Sequence, residues 1–262
     1  MNDERLEIRV HGSPEWPTLI YLPGTHGDWT LISSFRAAVA GRVRFVEFNY
    51  PRTESWSLTD YAFHVRKALS DKGIEHGWLL AESFGSQVAW AMVEQGFYTD
   101  GLILAGGFVR HPLGLEVEFG HWFCSVAPRW FLQGFLNLYR SYAKLRHRQA
   151  PETLASIDEF TERRKAPGER RAIVHRLRLI IDADFTTPAR SATVPVFHLA
   201  GFWDPIVPWW PVQAWLKREC PGFRGSHVVW NADHTVLATQ PGKSARLVLR
   251  WMAPGVKALE HN

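Results

Sequence analysis

Three residues of this chain have the types and the order needed for acyl transfer: a serine, then an aspartate, then a histidine. Ser83 sits within Ala81-Glu82-Ser83-Phe84-Gly85, after the apolar run "GWLLA" and before the helix-like "SFGSQVAWAMVEQG". Asp204 follows "VPVFHLAG", and His234 lies four residues beyond the run "SHVVW". A serine hydroxyl is a weak nucleophile until a base takes its proton. An imidazole is the usual base, and a carboxylate holds it in the right tautomer. The form small-x-Ser-x-small, between a strand and a helix, describes a turn that lifts the hydroxyl clear of a sheet. The following helix then aims its N–H groups at the same spot. Each residue also has a plainer reading: a helix N-cap for Ser83, a turn before Pro205 for Asp204, and one of twelve histidines for His234. The competitors are worse placed. His198 and His227 fall inside strand-like runs, and Asp182 and Asp184 fall in a helical stretch. The expected chemistry is attack by Ser83 on a carbonyl carbon, with His234 as base and Asp204 as its orienting acid.

These side chains meet only if the elements before them lie side by side. Short apolar runs at 18–22, 43–48, 77–81, 101–105, 194–200 and 226–230 are each bounded by Gly, Pro, Asn or Asp, and read as buried strands. Helical patterns at 57–73, 83–96, 209–220 and 241–252 alternate with them, the first opening on a Ser-x-x-Asp start signal. The expected class is α/β, with a doubly wound, mostly parallel sheet. Loops after parallel strands share one edge of the sheet, so Ser83, Asp204 and His234 can converge there. The rhythm breaks between 110 and 189, where helical patterns at 128–148, 151–165 and 168–185 run without a strand. This predicts a core of 1–109 and 190–262, with an all-helical insertion at 110–189.

With 262 residues and 46% hydrophobic content, the chain can bury one large core. Its +4 charge is interleaved with acids, as in "IDEFTERRKAPGERR", so Arg163, Arg164, Arg170 and Arg171 are expected on a solvated face. No nucleic-acid partner is expected from this pattern. Cys124 and Cys220 lie far apart, outside any metal or disulfide spacing. The charged "MNDERLEIRV" does not read as a signal peptide, and no apolar run is long enough to span a membrane. The expectation is a cytoplasmic protein acting on a small molecule without cofactor or metal.

Across about 15–109 and 190–255 these motifs resemble the α/β-hydrolase fold family. "LIYLPGTHGDW" is similar to the segment after the family's third strand, with Pro23-Gly24-Thr25 where the family often has His-Gly. "HTVLATQP" is similar to its histidine loop leading into the last helix. The resemblance implies an oxyanion hole from the backbone N–H groups of Thr25 and Phe84, and a helical cap at 110–189. It also implies a cofactor-independent serine hydrolase, by default acting on a carboxylic ester. Thioesters, lactones and a C–C bond next to a carbonyl fit the same machinery, and a small-ligand receptor or scaffold fits the same fold. Ala81 replaces the family's first glycine and remains small. Pro23 replaces its histidine, where only backbone donors matter. Glu82 is expected to support neighbouring loops rather than act as a second catalyst. A serine in place of an aspartate sets the chain apart from dehalogenases and epoxide hydrolases. The aromatic-rich insertion suggests an apolar or aromatic substrate, with Trp122, Trp130 and Phe131 in the roof of its pocket and His26, Trp29 and Trp203 in the floor.

Overall fold

In chain order, the strands of the computed structural model are β1 (Glu7–His11), β2 (Thr18–Leu22), β3 (Arg44–Asn49), β4 (Trp78–Glu82), β5 (Gly101–Ala105), β6 (Val196–Gly201) and β7 (Phe223–Val229). The structure describes residues 5–146 and 151–253, so the last residues expected in the helix at 128–148 lie outside it. The sheet order is β1-β3-β2-β4-β5-β6-β7. Only β1 runs antiparallel, pairing Glu7 with Asn49 through His11 with Phe45. It went unread in the sequence because its residues alternate with charges and are mostly half-exposed, as suits an edge strand.

The inner strands β2, β3, β4, β5 and β6 are buried on both faces, and successive residues feed two separate cores. Ile20, Leu22, Val46, Phe48, Leu79, Leu102 and Leu104 point to one side. Leu19, Tyr21, Phe45, Leu80, Ile103, Phe197 and Leu199 point to the other. The helices are α1 (Ser33–Val39), α2 (Leu58–Ser70) and α3 (Gly85–Glu94), then α4 (Gly114–Val126), α5 (Arg129–Arg146), α6 (Pro151–Lys165), α7 (Glu169–Asp182) and α8 (Thr186–Arg190), and finally α9 (Trp209–Glu219), α10 (Val236–Thr239) and α11 (Pro241–Met252). Helix α2 starts at a full capping box, in which Ser57 and Asp60 satisfy each other's backbone N–H. It packs on α3, while α1 packs on α11 across the sheet.

Between β5 and β6 the described residues form five helices and no strand. Helix α7 packs on α4, and α5 packs on α6, which in turn leans on α1. The short α8 returns to α3 on the body of the fold. Among the described residues no helix is long and apolar enough to cross a membrane.

Candidate active site

Ser83 follows β4 directly and has φ 49°, the only positive φ of a non-glycine residue among those described. An L-residue is held there only when its surroundings over-determine it. Here the Ser83 N–H donates to Ala105 O at 3.2 Å, and its carbonyl accepts from Ser86 N at 2.9 Å and Ser86 Oγ at 2.6 Å. Gly85 allows the tightness of the turn, since a Cβ there would lie 2.1 Å from Leu22 O. Two buried polar residues of α3, Ser86 and Gln87, tie the turn to the loop after β5. Ser86 Oγ accepts the Phe108 N–H at 3.0 Å, and Gln87 Nε2 donates to Phe108 O at 3.0 Å. Sequence reasoning passed over both, although polar residues on an otherwise apolar helix were the available signal.

Asp204 follows β6, and its side chain is fully buried. One carboxylate oxygen accepts the N–H groups of Ile206 and Val207, at 2.8 and 2.9 Å. The other accepts His234 Nδ1–H at 2.8 Å. This leaves His234 Nε2 as the proton acceptor. Burial lowers the affinity of His234 for a proton, but the charge and hydrogen bond of Asp204, helped by Glu82 and Asp233, outweigh it and raise the pKa above 6.5. Asp233, next in the chain, instead holds the turn, accepting Thr235 N and Oγ1 at 3.0 and 2.9 Å.

Ser83, Thr25 and His234 line one cavity of about 330 Å³, together with Phe108, His111, Glu116, Val117, Gly120, Leu177, Ile180, Pro205 and Ile206. No hydrogen bond joins Ser83 to His234 in the described structure; without substrate this contact is often long. The N–H groups of Thr25 and Phe84 donate to no protein acceptor among the described residues. Phe84 is the residue immediately before α3, so its N–H belongs to the open donors of a helix start. Glu82 is buried and accepts the Tyr21 hydroxyl from the adjacent strand. Burial, and then the Glu82 charge, push the Tyr21 pKa well up.

Of the aromatic residues expected around the pocket, only His26 stays close to Ser83, each within contact distance of a Cβ placed on Gly24, and it too stands outside the cavity wall. Trp29 is buried in the core beneath α1, with the Arg9 guanidinium 3.8 Å from its ring centroid. His26 stacks edge-on to Phe160 in α6, with Nε2 buried and unpartnered, and burial lowers its pKa. Trp122, Trp130 and Phe131 lie on the outer side of α4 and α5, Trp130 being 73% exposed. Trp203 is exposed beside Phe202 and Trp230. None of the six lines the cavity. In their place are aliphatic residues of α4 and α7, and His111 from the loop after β5. Burial pushes His111 down to about 4, so it is neutral at pH 7. Its position just past a strand end is the signal that would have found it.

The solvated face expected for the arginines is also corrected. Arg164 is buried, paired with Asp28 and with Glu169 at 2.9 Å. Arg170 donates to Cys124 O and Ser125 O, both at 2.6 Å, holding the end of α4. Arg171 does face solvent, in an exposed pair with Glu54. Among the described residues no cluster of His, Cys, Asp and Glu could hold a metal ion.

No family model matches the chain, and no curated protein matches it. Solved structures do. An alpha/beta hydrolase enzyme from a Medee basin deep-sea metagenome library superposes with a TM-score of 0.76 at 12% identity, covering 98% of this chain and 96% of that one. The chain has the α/β-hydrolase fold. A carboxylesterase of the ammonia-oxidizing thaumarchaeon Nitrososphaera gargenis superposes on this fold at TM-score 0.75 and 16% identity, covering 94% and 93%. An N-acyl homoserine lactonase does so at 0.74 and 16%, covering 99% and 96%. In this α/β-hydrolase fold, Ser83, Asp204 and His234 stand after β4, β6 and β7 at one edge of the sheet.

The raised His234 pKa makes a prediction. Proton abstraction needs neutral Nε2, so kcat/KM for any substrate attacked by Ser83 should be low in acid. It should rise with a single midpoint above 6.5. For stability the sign is opposite. The Asp204–His234 pairing contributes fully below the unfolded pKa and is lost as pH rises through the raised folded one. A pH–rate profile on a non-ionising ester checks the first statement, and Tm across the same range checks the second.

Proposed function

We propose that the protein is a cofactor-independent serine hydrolase of the carboxylesterase type, acting on small to medium esters with an apolar part. The observation that carries this reading is the cavity shared by Ser83, on a strained turn, and His234, anchored through Asp204. His234 Nε2 takes the proton as Ser83 Oγ bonds to the carbonyl carbon. The oxyanion forms between the N–H groups of Thr25 and Phe84, each donor stabilising it by about 3 kcal/mol. His234 returns the proton to the leaving alcohol, the C–O bond breaks, and an acyl-enzyme remains. Water, activated in the same way, releases the acid.

In this reading the helices of 110–189 are a cap, with Val117 and Gly120 of α4 and Leu177 and Ile180 of α7 closing the cavity. A larger cleft of about 680 Å³ borders it, sharing Val117, Ile180 and His111. The test is hydrolysis of p-nitrophenyl esters of increasing acyl length. Each buried CH₂ contributes about 0.8 kcal/mol, or roughly fourfold in kcat/KM, until the space is filled. The rate should climb from acetate through butyrate and then fall, and Val117→Phe should move the optimum to a shorter chain. No turnover of any ester, with no fluorophosphonate label on Ser83, would overturn the hydrolase reading and leave a ligand-binding protein. Labelling without turnover would overturn only the choice of ester.

A further inference from the structure

Arg176 of α7 is 1% exposed, and among the described residues its hydrogen bonds go only to neutral oxygens, with the Tyr50 ring beside the guanidinium. Its guanidinium donates to Thr25 O at 2.9 Å, to Pro51 O at 2.9 Å and to Tyr61 Oη at 3.3 Å. A buried cation without a carboxylate is costly, and an apolar side chain of similar length would anchor α7 at less expense. What it grips is the turn carrying Thr25. Gly27 N donates to Gly24 O at 2.9 Å, which fixes the peptide plane between Gly24 and Thr25. In a trans peptide the Thr25 N–H points opposite to the Gly24 carbonyl, and so away from the turn. Gly27 has φ 74°, and a Cβ there would lie 2.4 Å from Arg176 Nη1, so the guanidinium packs closely against the turn at Gly27. Arg164 of α6 holds the next carbonyl, His26 O, at 2.6 Å, and pairs with Asp28.

We propose that Arg176 is a positioning residue for the oxyanion hole: from the inserted helices it clamps the Thr25 carbonyl and thereby fixes the Thr25 N–H. This rests on the reading of Thr25 as an oxyanion donor. An arginine reaching across 151 residues of chain makes the inserted helices part of the catalytic frame as well as a cover. Arg164 reinforces the same turn.

The test uses the full chain with Arg176→Gln and Arg176→Lys, alongside a protein in which the Gly24–Thr25 amide is replaced by an ester. Active sites are counted by fluorophosphonate labelling run to completion. The readouts are kcat per site, KM, and affinity for a trifluoromethyl ketone and for the product acid. Losing one oxyanion donor costs about 100-fold or more. A displaced donor should therefore lower kcat per site by about 30-fold in Arg176→Gln, and weaken the trifluoromethyl ketone by a similar factor. KM and product-acid affinity should stay within about threefold, with Arg176→Lys intermediate. If Arg176→Gln does not fold, Arg176→Lys, which keeps the cation and stem, carries the test. The amide-to-ester protein impaired and the Arg176 variants normal per site would overturn the proposal and leave Thr25 a donor. An unimpaired ester protein would remove Thr25 from the oxyanion hole and the proposal with it. Loss in the Arg176 variants that lowers the number of sites without lowering the rate per site would mark a purely structural arginine.

Discussion

Ser83→Ala should lower kcat by about 10⁶-fold while changing KM little, because the nucleophile acts only in the transition state. The measurement is steady-state hydrolysis of the best p-nitrophenyl ester, with fluorophosphonate labelling as a second readout. The loss should come with no loss of folding. Ser83 holds φ 49°, a conformation that costs an L-residue about 1–3 kcal/mol. Alanine bears the same cost, so its Tm should stay close to that of the parent. Ser83→Gly relieves the strain and should raise Tm while being just as inactive. A helix-capping serine predicts the reverse pattern, with activity retained and stability lost by about 1 kcal/mol. Residual turnover above 1% of the parent in Ser83→Ala would remove Ser83 as the nucleophile.

The sheet was legible because parallel strands buried on both faces appear as short, mostly apolar runs, and six such runs could be counted. β1 was not legible, since it is an edge strand whose alternation with charges looks like a polar segment. The site residues were legible in order because each follows a strand end, and parallel strands bring those ends to one edge. The structure puts His234 against Asp204 and opens both His234 and Ser83 on one cavity. Ser86 and Gln87, which fasten the turn, stood out only as polar residues on an apolar helix; what they fasten was not legible, because their partner lies over twenty residues away in another loop.

The cavity wall was the poorest reading, for a physical reason. Aromatic content says that a helix has apolar area, but not which neighbour faces it. In α4 the face bearing Leu115, Phe119, Trp122 and Val126 is turned outward, and the buried contact comes from Val117. Charge runs mislead in the same way. "ERRKAPGERR" looks solvated because its acids and bases pair locally in sequence, yet Arg164 finds Asp28 at a separation of 136 residues. Sequence periodicity contains no information about partners at that range.

Asp204→Asn should cost about 10⁴-fold in kcat/KM at neutral pH with the fold intact. Asp204 makes two kinds of contact, and the substitution separates them. One oxygen accepts the Ile206 and Val207 N–H groups, which a neutral amide oxygen can still do. The other accepts from His234 Nδ1, and there the amide NH₂ is a donor. An asparagine that keeps the loop bonds must present this NH₂ to the imidazole, so Nδ1 becomes the acceptor and Nε2 carries the proton. The base is then in the wrong tautomer to receive the Ser83 proton. The same change removes the charge and the hydrogen bond of Asp204 that raise the His234 pKa, leaving burial, the largest influence, opposed only by Glu82 and Asp233. The midpoint of whatever pH–rate profile survives should therefore move down. A purely structural Asp204 predicts a fall in Tm with the midpoint unmoved, whereas an orienting Asp204 predicts that rate and midpoint fall together. Measuring kcat/KM from pH 5 to pH 9 for both proteins, with Tm at each pH, separates the two.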